Sequence, residues 1–166
     1  LYKIQNRELE LVTFTPNRAQ QEFQNAATNR NIILKARRLG FTTYEALDAF
    51  DEVLWKANFN ALMLSYNQES QSNMFDQKIG LAWHNYHPQL KALYKMDTER
   101  ANMLRFNRGD GTFSSIEALL RGRSGTYNRV HVSEMAQIEK DSKEKAREVI
   151  SGTFPTVPID GRIDVE

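Results

Sequence analysis

Apolar positions recur along the chain in two rhythms that take turns. From Asn17 to Ala27, Ala19, Phe23 and Ala26 or Ala27 fall on one side of a helix, with Pro16 where a helix start tolerates proline. After a turn at Thr28 to Asn31, the run Ile32-Ile33-Leu34 has the continuous apolar character of a buried parallel strand. A basic loop follows, and then a helix on which Tyr44, Leu47, Phe50, Leu54 and Ala57 are spaced as one face. The alternation repeats. Ala61 to Leu64 reads as a second buried strand, and Glu69 to about Tyr86 as a helix with Met74, Phe75, Ile79 and Trp83 inside, stopped by Pro88. Trp55 and Trp83 both sit at core spacings. Met103 to Asn107 and Thr112 to Glu117 alternate around Gly109-Asp110-Gly111, a hairpin signal. Val130-His131-Val132 is another short strand, Lys140 to Val149 a mixed-charge helix, Ser151-Gly152-Thr153 a loop, and Gly161 to Glu166 strand-like. Strands separated by helices predict a three-layer α/β domain with a mostly parallel sheet and right-handed crossovers.

Composition narrows the chemistry. The 166 residues make one ordinary domain without repeats or linkers, and the start at Leu1 and end at Glu166 suggest a fragment. With no cysteine there is no disulfide framework, thiolate zinc site or cysteine nucleophile. No apolar run approaches the roughly 18 residues of a membrane span, so a soluble domain is expected. A net charge of +1 makes no case for nucleic acid, and the excess of seven Lys or Arg over four Asp or Glu across 95–129 is modest. His84 and His87 are three apart near a helix end, but a third metal ligand is not evident.

In a parallel sheet, ligands bind at the carboxyl ends of the strands, which directs attention to Lys35-Ala36-Arg37-Arg38-Leu39-Gly40-Phe41-Thr42-Thr43. Against the phosphate-loop pattern G-x-x-x-x-G-K-[ST], Gly40 and Thr42 are kept, while Lys35 replaces the first glycine and Phe41 the lysine. Gly40 lets backbone N–H groups close on phosphate at a helix start, and Thr42 has the hydroxyl for Mg²⁺. The missing charge is available from Lys35, Arg37 or Arg38. An ordinary solvated turn has the same look, so a second element is needed. Val130-His131-Val132-Ser133-Glu134 supplies one: an apolar strand ending with Ser133 where a metal-side aspartate usually stands and Glu134 where a water-activating glutamate stands. A helix-capping serine beside a surface charge is the plain alternative.

These residues together resemble the N-terminal ATPase domain of phage large terminases. Thr15-Pro16-Asn17-Arg18-Ala19-Gln20, then Lys35 to Thr43, then Arg121-Gly122-Arg123-Ser124-Gly125-Thr126 running into Val130 to Glu134 match that family's order and spacing over nearly the whole chain. The resemblance implies a P-loop NTPase of the ASCE type, spanning 1–166, cut before the coupling motif and without the nuclease domain. It implies ATP and Mg²⁺ as cofactors. Gln20 would read adenine, with Gln21 as fallback. Residues Lys35 to Thr43 would hold the triphosphate, Lys35 and Arg38 foremost, and Thr42 and Ser133 the metal. Glu134 would activate water, and Arg121 or Arg123 would reach a neighbouring subunit's nucleotide. Its implied partners are double-stranded DNA, a portal protein, a small terminase subunit and further copies in a ring. The implied location is the host bacterial cytoplasm, docked on the procapsid portal, with no membrane. A helicase-type translocase and a DNA-binding module with a degenerate phosphate loop are the other readings, Phe41 being the best support for the latter.

Overall fold

The computed structural model describes residues 1–122 and 125–166. Strands β1 (Lys3–Gln5) and β2 (Leu11–Thr13) form a small antiparallel ribbon. Helix α1 (Arg18–Ala26) is started by a capping box, in which the Asn17 side chain accepts from the Gln20 backbone and the Gln20 side chain accepts from the Asn17 backbone. Strand β3 (Arg30–Ile32), helix α2 (Phe41–Trp55) and strand β4 (Asn60–Leu64) follow. Helix α3 (Gln68–Met74) continues through a π-helical turn (Phe75–Gly80) into α4 (Leu81–His84), and Pro88 opens the short helix α5 (Pro88–Lys91) instead of merely ending its predecessor. Then come β5 (Lys95–Arg100), β6 (Met103–Asn107), β7 (Phe113–Leu119), β8 (Arg129–Val132), α6 (Met135–Asp141), α7 (Lys143–Glu148) and β9 (Arg162–Val165).

Seven strands make the central sheet in the order β3-β9-β8-β4-β7-β6-β5. The five from β3 to β7 are parallel; β6 and β5 extend the sheet as an antiparallel meander. Alternation along β4 explains the layering. Ala61 and Met63 join Phe50, Val53, Met74, Trp83 and Phe106 on one face, whereas Leu62 and Leu64 join Val130, Val132, Ile138 and Val149 on the other.

Several expectations shift. The apolar run after the first turn is not buried as a unit: among the described residues β3 is an edge strand paired to β9 alone, Ile33 is buried, and Ile32 and Leu34 are 79% and 93% exposed. Trp55 ends α2 at 54% exposed, its ring meeting Tyr94 edge-on 6.4 Å away. The mixed-charge helix starts earlier, at Met135, and breaks at Ser142, whose side chain caps α7. Ser151 to Thr153 belong to a π-helical turn, Val149–Thr153, with Thr153 buried. Arg129, counted in the basic excess, is wholly buried among carboxylates and presents no charge to a partner. Among the described residues no helix is long and apolar enough to cross a membrane.

Candidate functional site

The chain leaves β3 and enters α2 through a loop whose backbone is twice left-handed, at Arg38 (φ 65°) and Gly40 (φ 70°). Glycine meets that demand at Gly40, where a Cβ would also stand 3.1 Å from the Gln20 amide nitrogen. That nitrogen holds the loop. Gln20 Nε2 donates to the Leu39 and Gly40 carbonyls at 3.1 and 3.0 Å, its Oε1 accepts from the Asn17 backbone at 2.9 Å, and Asn17 Nδ2 donates to Leu39 O at 3.0 Å. Contact of Gln20 with an adenine edge therefore requires its amide to leave these carbonyls. Gln21 turns away, donating to Pro16 O at 2.7 Å.

Gly40 caps α2 without a side chain, so the first amides of a 15-residue helix are left for a ligand. They open into a cleft of about 360 Å³ at the carboxyl ends of β3, β4 and β8. Lys35, Arg38, Gly40, Phe41, Thr42 and Thr43 line one wall, and Ser133 and Glu134 another, so the two sequence-predicted elements do meet. Ala36 and Leu39 are loop backbone away from the cleft lining, and Arg37 faces an adjoining depression beyond Lys35 and Glu134. Phe41 is 5% exposed and packs edge-on against Phe23 at 5.6 Å, which explains an apolar residue where the pattern has lysine: the ring anchors α2 to α1. Glu134 is exposed in a left-handed conformation (φ 58°, ψ 53°), a strained setting for a non-glycine residue of the kind that gathers at functional sites.

Two contributors were missed. Lys78, on the π-helical turn, reaches the cleft opposite the loop. Burial pushes its pKa down while the Glu166 carboxylate opposes that shift, and it makes no hydrogen bond or ion pair of 4 Å or less among the described residues. Its signal was a charge four residues after Met74 on an otherwise apolar helix face. Glu166, at the end of β9, has a side chain that is 0% exposed. Thr42 Oγ1 donates to its Oε1 at 2.5 Å, Ser133 Oγ donates to the same oxygen at 3.1 Å, and Lys35 Nζ lies 3.7 Å from Oε2. The hydroxyls of Thr42 and Ser133, from different elements, thus point at one spot, and hydroxyl oxygens there suit a hard cation such as Mg²⁺. No cluster of three His, Cys, Asp or Glu with metal-binding geometry exists among the described residues; His84 instead bonds Gly80 O at 2.6 Å.

No family model and no curated protein matches the chain. Solved structures do. The large terminase ATPase domain of Thermus phage P74-26 superposes with a TM-score of 0.69 at 14% identity, over 92% of this chain and 64% of that one. The fold is that of a phage large-terminase ATPase domain. An arginine-to-alanine mutant of that terminase domain gives a TM-score of 0.69 at 12% identity, over 92% of this chain and 65% of that one. A large terminase from a thermophilic bacteriophage gives 0.52 at 14% identity, over 92% of this chain and 39% of that one. The chain thus spans less than two thirds of these terminase structures. Of the two arginines expected to act between terminase subunits, Arg121 is exposed and pairs with Glu148 at 3.5 Å, and it does not line the cleft. Arg123 lies outside the described residues.

Proposed function

We propose that this chain is the motor ATPase of a phage large terminase, hydrolysing ATP with Mg²⁺ to drive double-stranded DNA into a procapsid. One observation carries the reading: an uncapped helix start, the loop cations Lys35 and Arg38, and a strained Glu134 share one cleft in a terminase-like fold. The first amides of α2 and the Lys35 ammonium take the β- and γ-phosphate oxygens, and Arg38 follows the charge that builds on the γ-phosphoryl during transfer. Thr42 and Ser133 would hold Mg²⁺, which would offset triphosphate charge. Glu134 orients water and takes its proton as the water oxygen bonds to the γ-phosphorus and the bond to the ADP oxygen on the opposite side breaks. Gln20 keeps the loop shaped for this work. In packaging, copies form a ring on the portal in the host cytoplasm with the small terminase subunit, and Arg121 or Arg123 serves a neighbour's nucleotide.

Calorimetric titration of the folded chain with a nonhydrolysable ATP analogue and Mg²⁺ tests the reading. Binding that Lys35→Ala weakens is the expected result. No binding at millimolar analogue by well-folded protein would overturn it.

A further inference from the structure

Ser133 leaves the proposed metal site one negative charge short of the usual acidic pair, because a hydroxyl is a neutral ligand. Mg²⁺ in nucleotide sites is bound through one or two carboxylates together with substrate phosphates. A carboxylate is nevertheless there, delivered by the neighbouring strand. We infer that Glu166 of β9 is the carboxylate ligand of the divalent cation, standing in for the charge that Ser133 lacks.

Three observations converge on this assignment, which rests on the ATPase reading. The first is burial without full satisfaction. The Glu166 side chain is 0% exposed, and its Oε2 has no hydrogen-bond partner among the described residues, the Lys35 ammonium staying 3.7 Å away. Buried carboxylates are costly unless paired and hydrogen-bonded, and a cation beside this one would complete it. The second is spacing. Ligands at 2.0–2.1 Å from an octahedral ion stand about 2.9 Å apart at adjacent corners. Oε1 lies 2.5 Å from Thr42 Oγ1 and 3.1 Å from Ser133 Oγ, values on either side of that figure. The third is placement. β8 and β9 are parallel neighbours, Val132 sits beside Val165, and the Glu166 backbone N–H donates to Val132 O at 3.0 Å, so the residue after each strand reaches the same cleft end.

The arrangement also gives Lys35 two partners in turn. Without metal, its ammonium stays near Glu166. With the cation on the carboxylate, the attraction that holds Lys35 back is neutralised and the ammonium is free for phosphate.

The test compares binding of a nonhydrolysable ATP analogue with Mn²⁺ and in EDTA, by calorimetry, with the Mn²⁺ environment followed by electron paramagnetic resonance. Glu166→Gln keeps acceptors for Thr42 and Ser133 but removes the charge. The metal-dependent gain in analogue affinity should fall roughly 10-fold or more, metal-free binding should not weaken, and the Mn²⁺ spectrum should change. Adding Ser133→Asp to Glu166→Gln should restore much of the gain. An unchanged gain in Glu166→Gln, or a loss that Ser133→Asp does not repair, overturns the assignment while leaving the ATPase reading standing. Wild-type protein that binds no analogue under either condition sinks that reading and the assignment with it.

Discussion

The Arg129 guanidinium lies 2.6 Å from the Glu45 carboxylate, both side chains being closed off from solvent between β8 and α2. Asp48 and Glu52 on α2 approach the same guanidinium at 2.8 and 2.7 Å, and Asp164 on β9 at 3.4 Å. One cation thus ties the helix that begins at the phosphate loop to two central strands. Arg129→Met should lower stability by about 3–5 kcal/mol, because the buried Asp164 carboxylate and the partly buried Asp48 and Glu52 carboxylates lose their counter-charge and Glu45 loses its hydrogen-bond donor. Arg129→Lys should recover only part, since an ammonium lacks the fork that spans these partners. Denaturant midpoints measure both, and an Arg129→Met midpoint equal to wild type would contradict this account.

The same cluster sets a pH dependence with two opposing parts. Burial pushes the Glu45 pKa up to about 8 from 4.5, with Asp164 adding to the rise and the two arginines opposing it. Between those values the folded chain holds more protons than the unfolded one, so this group makes stability fall as pH rises. His131, fully buried, is pushed down to about 4 from 6.5. There the unfolded chain holds more protons, so the histidine makes stability rise with pH up to 6.5. The two oppose each other between 4.5 and 6.5, leaving Glu45 alone above. Wild-type stability should decline from pH 6.5 to 8 with a slope of up to about 1 kcal/mol per unit. Glu45→Gln should flatten that decline, which thermal melts across the range will show; an unaltered slope in the variant would remove Glu45 as its source.

The central strands and helices were legible because their apolar residues keep the periods of their elements, as Ala61 to Leu64 and Tyr44 to Leu54 do. Strand β5 was not, since Lys-Met-Asp-Thr-Glu-Arg at a sheet edge buries no residue fully. The run Ile32-Ile33-Leu34 lacks alternation, so nothing local fixed its register or its edge position. At the site, Lys35, Gly40, Thr42 and Glu134 were readable from motif spacing. Glu166 was not, because its meaning depends on β9 lying beside β8, a fact of topology across 33 residues of chain. Arg129 counted only toward the basic excess of 95–129, because its partners on α2 are 77 and 84 residues away.

Gln20 offers a direct discrimination between shaping the loop and reading a base. Gln20→Ala leaves the Gly40 carbonyl without its side-chain donor and Leu39 with Asn17 alone. Affinity for ATP and GTP analogues should then fall together, roughly 10-fold at the 1.4 kcal/mol expected of two lost hydrogen bonds. A loss confined to ATP would instead give the glutamine to the adenine edge.

Glu134 joins strain to chemistry. Glu134→Gln should leave analogue binding intact and lower turnover about 100-fold in an assembled, active motor. Glu134→Gly should do the same to turnover but raise stability by up to about 1 kcal/mol, because glycine accepts φ 58° without penalty. Calorimetric melting beside a phosphate-release assay separates the two effects. Retained turnover in Glu134→Gln would take the residue out of the mechanism.

The charge that a phosphate loop ordinarily places at its helix start is distributed here around the cleft. Phe41 occupies that position with its ring packed against Phe23 and Tyr44, at 5.6 and 6.4 Å, and it supplies no charge. The helix start contributes only about half a unit, so full cations are needed. Lys35 enters from the beginning of the loop, Arg38 from its left-handed turn, and Lys78 from the far wall. Lys78 is the best placed to gain: its ammonium is partly buried without an ion pair of 4 Å or less among the described residues, and the negative charge of a bound triphosphate would offset the desolvation that lowers its pKa. Lys35→Ala and Lys78→Ala should each weaken analogue binding by about 10-fold or more, as losing one charged hydrogen bond of roughly 1.5–3 kcal/mol implies. Arg38→Ala should act mainly on turnover. Phe41→Ala should cost about 3 kcal/mol of stability or more while the protein that remains folded still binds. The decisive comparison is therefore Lys78→Ala against Phe41→Ala in the same calorimetric titration. Binding lost in the phenylalanine variant and kept in the lysine variants would mean that the charge does not come from these cleft walls.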